Sequence, residues 1–334
     1  MAKGIKDTDY LVISARVKAM ETGLLTRERM EQLLEARTGE EAARLLQECG
    51  YPRLDPDRPE EMDAALSAIR EATFSDVAAG TPDPRYIQLF RIKYDYHNAK
   101  ALLKAEAMGA PADRMLSGAG RVPAGELAEA VRDRALDALP ELLAAAIGEA
   151  REVLDTTRDP QLSDMVLDRW CYRDMAALAA ETGSAFLRGY VAAQVDAVNL
   201  RTAVRTLRMG KGADFLRGAL LEDGEIPPET VERAVDGQGS GLREAYRATR
   251  FEEAAAAGAE ALKGGSLTEF EKLCDDAVGA YLAEARSIPF VEAPLVGYLA
   301  ARETEYTNLR ILLLGRAARI APSVIRSRLR ASYV

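Results

Sequence analysis

Apolar residues along this chain recur at helical spacing, and alternating β-branched runs are nearly absent. Three stripes set the pattern: Ala99/Leu102/Leu103, Leu200/Ala203/Val204 and Leu309/Leu312/Leu313. Each lies at the first, fourth and fifth places after an asparagine, which puts Asn98, Asn199 and Asn308 on the buried face of their helices. Each asparagine belongs to a cassette with an acid three residues before it and a base two residues after it. The sets are Asp95/Asn98/Lys100, Asp196/Asn199/Arg201 and Glu305/Asn308/Arg310.

A second signature follows each cassette, with one more copy near the start of the chain. An apolar residue precedes a helix start, with further apolar residues five and nine places on: Leu25/Met30/Leu34, Val122/Leu127/Val131, Ile226/Val231/Val235 and Ile320/Ile325/Leu329. The five-residue gap is a hydrophobic staple, which fixes the angle at which the chain runs into a helix. Thr26 fits an N-cap, and Pro228 and Pro322 fit a first helical turn. Gly109 and Gly210 fall eleven residues after their asparagines and are expected to end the cassette helices, with Gly315 ending the third one sooner. Helix, turn and stapled helix thus recur at spacings near one hundred residues. The chain reads as an all-α internal triplication, divided at 1–116, 117–222 and 223–334, and offset so that its two ends share a fourth corner.

Between these landmarks the pattern predicts a first helix over Tyr10 to Met20, capping boxes at Thr38/Glu41 and Ser266/Glu269, and a helix from Pro59 to Ala79. Breakers stand at Gly50, at 80–84, at Pro140 and at Thr182-Gly183. A helix is expected through Arg286, with Pro289 and Pro294 leading into the last cassette. The glycine-rich stretch at 237–241 is expected to be the most flexible in the interior.

An asparagine on an apolar stripe must find partners, or desolvation costs about 1–3 kcal/mol. The acid at i−3 lies on the same side and within reach of the amide. The base lies far around the helix and should meet a neighbouring helix or solvent. A polar staple that orients packed helices is the favoured reading, with direct partner contact as its rival.

The net charge of −9 supplies no basic field for nucleic acid and disfavours anionic lipid. No apolar run approaches 18 residues, so neither a transmembrane helix nor a signal peptide is predicted. Three scattered cysteines and a single histidine, His97, leave no zinc site and suit a reducing compartment. His97 is also a poor general base, because Val198 and Thr307 take its place in the other cassettes. Gly118-Ala-Gly120 lacks a preceding strand for dinucleotide binding, and Gly210-Lys211 lacks the upstream glycine of a phosphate loop. Asp275-Asp276 resembles half of a magnesium-binding acid cluster, without its third carboxylate. The arginine runs 201/205/208 and 326/328/330 read as solvated helix ends, or alternatively as docking points for an acidic partner. No catalytic residue, cofactor or metal is expected.

The opening Tyr10-Leu-Val-Ile-Ser-Ala-Arg-Val-Lys-Ala-Met20, the three cassettes in order, and the closing Ile325-Arg-Ser-Arg-Leu-Arg-Ala-Ser-Tyr-Val334 resemble the C subunit of the archaeal and bacterial V-type ATPases. The eukaryotic counterpart is the d subunit of the vacuolar enzyme. This resemblance implies a funnel of three similar helical domains with pseudo-threefold symmetry and no catalysis of its own. It implies a rotor adapter between the membrane proteolipid ring and the central-shaft subunits of D and F type, on the cytoplasmic face of the membrane. A general helical scaffold and a magnesium-dependent helical enzyme are the alternatives.

Overall fold

The computed structural model describes residues 5–55, 57–112, 115–236 and 241–334. The described chain is all-helical, with no strand among those residues. Four helices precede the first cassette: α1 (Leu11–Glu21), α2 (Arg27–Glu35), α3 (Gly39–Glu48) and α4 (Pro59–Gly80). The cassette helix α5 (Arg85–Met108) leads to α6 (Ala124–Asp133), α7 (Glu141–Thr157) and α8 (Pro160–Thr182). The second, α9 (Ala185–Arg208), leads to α10 (Ala213–Ala219), α11 (Pro228–Asp236), α12 (Leu242–Ala245), α13 (Glu252–Leu262) and α14 (Leu267–Ala283). The third, α15 (Ala293–Ala317), is followed only by the short α16 (Pro322–Arg326). Of the stretch expected to be most flexible, residues 237–240 lie outside the described residues.

Local chemistry accounts for most boundaries. The hydroxyls of Thr26, Thr38 and Ser266 accept from the amides of Arg29, Glu41 and Glu269 at 3.1–3.3 Å, each capping a helix start. The Glu41 carboxylate reaches back to the Arg37 amide, one residue beyond the expected box. Breakers at 80–84 and 183 stand where expected. A break between α7 and α8 was not anticipated: Arg158 turns left-handed at φ 58°, and Asp159 caps a helix that opens on Pro160. The helix expected to reach Arg286 ends at Ala283 and continues as a 3-10 turn over Glu284–Ser287.

Packing forms two cores. The larger joins α1 and the end of α4 to helices α5–α14 and the first half of α15. The smaller gathers Met30, Leu33 and Leu34 of α2, Leu46 of α3, and Met62 and Leu66 of α4 around Leu309, Leu312 and Leu313 of α15. Thus α5 packs with α6–α8, α9 with α11, α13 and α14, and α15 with α2, α4 and α16. The helices at the start of the chain supply α15 with neighbours that α5 and α9 find downstream.

The three cassette helices end alike. Ala110, Lys211 and Ile320 each donate their amide to the carbonyl five residues back, at 2.9–3.1 Å, and the residue before each is left-handed. That residue is Gly109, then Gly210, but in the third copy it is Arg319, at φ 55°. Gly315 does not end α15, which runs on to Ala317. A Cβ on Gly315 would stand 2.9 Å from Ile325, so this glycine serves the close seating of α16. Gly315→Ala is therefore expected to overpack the smaller core and lower stability by about 1–3 kcal/mol in denaturant melts.

Candidate functional site

The cassettes act as main-chain clips. The Asn98 amide donates to the Ser117 carbonyl at 2.8 Å and accepts from the Ser117 amide at 2.7 Å. Asn199 holds Leu221 in the same two-point manner, at 2.9 and 2.8 Å, and Asn308 holds Arg330 at 3.1 and 2.9 Å. Each buried asparagine thus stands in for the missing strand of a sheet, pairing both groups of one loop residue. The expected bond to the acid at i−3 is replaced by this loop, because an amide facing one residue edge-on satisfies its donor and acceptor together.

The acid serves the next step of the chain. Asp95 accepts from the Val122 amide at 3.1 Å, and Asp196 accepts from the Glu225 and Ile226 amides at 3.2 and 3.1 Å. Val122 and Ile226 open the stapled sets, so the acid fixes where each stapled helix begins. The third acid, Glu305, takes the amide of Leu25 and also binds Tyr51 and Arg302. Its staple is therefore the copy near the start of the chain, 280 residues away, rather than Ile320. Gly120 and Gly224 permit the approach: a Cβ on either would meet the acid's oxygen at 2.3 or 2.4 Å. A glycine two residues before the staple, as at Gly23, Gly120 and Gly224, is the sequence signal that could have revealed the acid's role.

The bases cross to neighbouring helices. Lys100 pairs with Asp168 of α8, Arg201 with Asp275 of α14, and Arg310 with Asp63 of α4 at 2.7 and 3.0 Å. Other arginines of the two runs are engaged within the chain as well: Arg205 meets Glu271, Arg326 meets Glu31, and Arg330 meets Asp275 at 2.7 Å, while Arg208 and Arg328 are exposed. Asp276 binds Lys272 and the Ala331 amide. With their oxygens so occupied, Asp275 and Asp276 make a poor magnesium pair. Among the described residues no group of three His, Cys, Asp or Glu could hold a metal ion. His97 is exposed, its Nε2 3.1 Å from the Met115 carbonyl.

The three cassette helices meet at a cavity of about 310 Å3 lined by Lys93, Gln194 and Glu303, residues at the same place in each cassette. Glu303 binds Lys93, Tyr94 and, at 2.7 Å, Arg70 of α4. Burial pushes its carboxyl up, but Lys93 and Arg70 outweigh burial and hold it down at about 2. Sequence reading missed this centre, because only the packed helices bring the three positions together.

The three cassette acids differ in their compensation. Burial raises Asp95 and Glu305, offset by Arg121 and by Arg302 respectively. Asp196 has Glu225 where Asp95 has Arg121, and burial pushes it up to about 6 despite the two amides it accepts from. The buried Tyr246 hydroxyl close to it has no hydrogen-bond partner among the described residues.

The described residues thus form an all-helical framework of three repeated clips, with ion pairs that hold helix to helix. The chain is a member of the ATP synthase (C/AC39) subunit family, whose match covers residues 13–328, and so of the non-catalytic C subunits of rotary V- and A-type ATPases. It is similar to the C subunit of the V-type sodium ATPase of Enterococcus hirae, 24% identical over 97% of this chain and 99% of that protein. It is also similar to the C subunit of the A-type ATP synthase of Halobacterium salinarum, 26% identical over 98% of this chain and 99% of that protein. The C subunit of the V-type ATP synthase of Thermus thermophilus is 29% identical over 64% of this chain and 69% of that protein. No helix among the described residues is long and apolar enough to cross a membrane. The chain is thus a subunit of a membrane-associated complex without a span in its described part.

Two outcomes follow from the clips. Asn199→Leu keeps the side-chain size but strands both main-chain groups of Leu221, and should cost on the order of 1–3 kcal/mol in thermal melts. An unchanged melting temperature would remove Asn199 from the supports of the fold. Asp196 in the folded chain holds its proton more tightly than an unfolded aspartate does. Its contribution is therefore greatest below about pH 4 and is lost as pH rises to about 6, by about 3 kcal/mol in all. In Asp196→Asn that decline should disappear from stability measured between pH 4 and 7.

Proposed function

We propose that this chain is the rotor adapter of its ATPase, joining the central-shaft subunits of D and F type to the membrane proteolipid ring. In this reading, ATP hydrolysis or synthesis is coupled through it to ion transport. The observation that carries it is the meeting of Lys93, Gln194 and Glu303, equivalent residues of three repeated helices, at one cavity. That supports a pseudo-threefold axis and a funnel of three similar helical domains, with the repeats divided at 1–116, 117–222 and 223–334. A socket on such an axis can sit on a round ring while its interior meets a shaft that is not round. The cassette residues Asp95/Asn98/Lys100, Asp196/Asn199/Arg201 and Glu305/Asn308/Arg310 are then its internal framework.

A joint of this kind carries torque. One ion crossing about 150 mV releases roughly 3.5 kcal/mol, so several ions in a step load the joint with about 10 kcal/mol. A standard interface of about 1,600 Å2 can hold such a load, although area alone does not secure it. Contacts from all three domains suit this demand better than a single anchor. An acidic chain reaches the membrane here by docking on a protein ring at the cytoplasmic face.

The test is ATP hydrolysis and ion pumping measured in the same reconstituted vesicles, with and without this chain. Hydrolysis should persist without it while pumping stops. Pumping that survives its removal, or crosslinks that place it in the peripheral stator, would refute the adapter reading.

A further inference from the structure

Three corners of this chain are built alike, and one of them lacks the lock that closes the other two. At each corner a buried cassette acid takes the amide that opens a stapled helix. The pairs are Asp95 with Val122, Asp196 with Ile226, and Glu305 with Leu25. At the first corner the residue before the staple is Arg121, whose guanidinium binds Asp95 at 2.8 Å and Asp174 at 2.6 Å. At the corner closed by the chain ends, Glu305 is bound by Arg302 and by the Tyr51 hydroxyl.

The middle corner, where α9 meets α11, has neither support. The residue before its staple is Glu225, so a second carboxylate takes the sequence place of Arg121. Asp196 is as deeply buried as Asp95, yet among the described residues only the Glu225 and Ile226 amides bind it, at 3.2 and 3.1 Å. The groups that face it are Glu225 from the loop, Tyr246 after α12 and Arg250 before α13. Arg250 is turned to Glu284, at 3.3 Å, and lies over the Tyr281 ring at 4.8 Å. The buried Tyr246 hydroxyl, which also has Cys274 of α14 close by, makes no bond to the acid. A glycine at 224 brings the loop so close that a Cβ there would stand 2.4 Å from the Asp196 oxygen.

We propose that this corner is a proton-operated latch: Asp196 keeps the loop 221–226 and the start of α11 shut when protonated, and lets them open when ionised. An ionised carboxylate without a counter-charge gains by reaching water, and opening the loop admits water to it. A neutral one has no such gain. Burial pushes the Asp196 carboxyl up to about 6, against about 3.9 for an aspartate in water. The shut corner therefore binds the proton more tightly than the open one, so closure is strongest below about pH 4 and weakens as pH rises to about 6. Asp95 and Glu305 keep an arginine when they ionise, which makes the α9–α11 corner the pH-sensitive one of the three. The latch is a property of the chain itself and stands apart from the adapter reading.

The test is hydrogen exchange of single amides, read by NMR on the full chain as protection factors, with the intrinsic rate divided out. Protection of the Ile226 amide should fall about tenfold between pH 5 and pH 8, and those of Val122 and Leu25 should fall less. A flat Ile226 value, or one that falls no further than Val122's, would overturn the latch, since the opening would then be absent or global. Asp196→Asn should abolish the fall, and a fall that persists would assign it to another group. Glu225→Arg, a change at an exposed position, gives this corner the arginine of the first. It should raise Ile226 protection at pH 8 by about tenfold and flatten its pH dependence. An unchanged pH dependence in Glu225→Arg would overturn the missing arginine as the cause.

Discussion

A buried main-chain group needs a partner, and a helical protein has no sheet to supply one where its loops cross the interior. This chain meets that requirement with side chains projected from three long helices. Each asparagine pairs both main-chain groups of one loop residue, and each acid receives the amide that opens a stapled helix. With the loop fixed at two points, the stapled helix can start in only one place, and the apolar residues behind it settle onto a defined surface. The two cores, the ends of the cassette helices and the meeting of those helices at Lys93, Gln194 and Glu303 all follow from where these clips hold the chain.

The third clip explains how a linear repeat closes. Its asparagine holds Arg330, yet its acid reaches back to Leu25 and Tyr51, so one unit is assembled from both ends of the sequence. Residues 330–333 bind Asp275 and Asp276 of α14, Arg286 after it, and Leu25 and Glu21 near the start of the chain. Such closure ties the ends of the chain to its interior by hydrogen bonds and ion pairs rather than through loops alone.

The copies are alike in framework and different in charge. Asp95 has Arg121 and Glu305 has Arg302, while Asp196 relies on two amides and faces the carboxylate of Glu225. The cassette bases differ in the same way: Arg201 shares Asp275 with Arg330, while Arg310 holds both oxygens of Asp63.

The all-α class, the three cassettes, the staples and the capping residues Thr26, Thr38 and Ser266 were all written in the sequence, because helical periodicity and capping depend on neighbours within a turn or two. The burial of the asparagines was also legible, from the stripe on which they lie. Their partners were not, since Ser117, Leu221 and Arg330 stand 19 or 22 residues away across a turn whose path nothing local fixes. Gly315 looked like a helix end and proved to be a seat for Ile325, a distinction that depends on which residue packs against it. Glu303 gave no local signal at all. Its role arises where three helices bring Arg70, Lys93 and Tyr94 to one carboxylate, and only the tertiary structure decides which distant charges share a buried space.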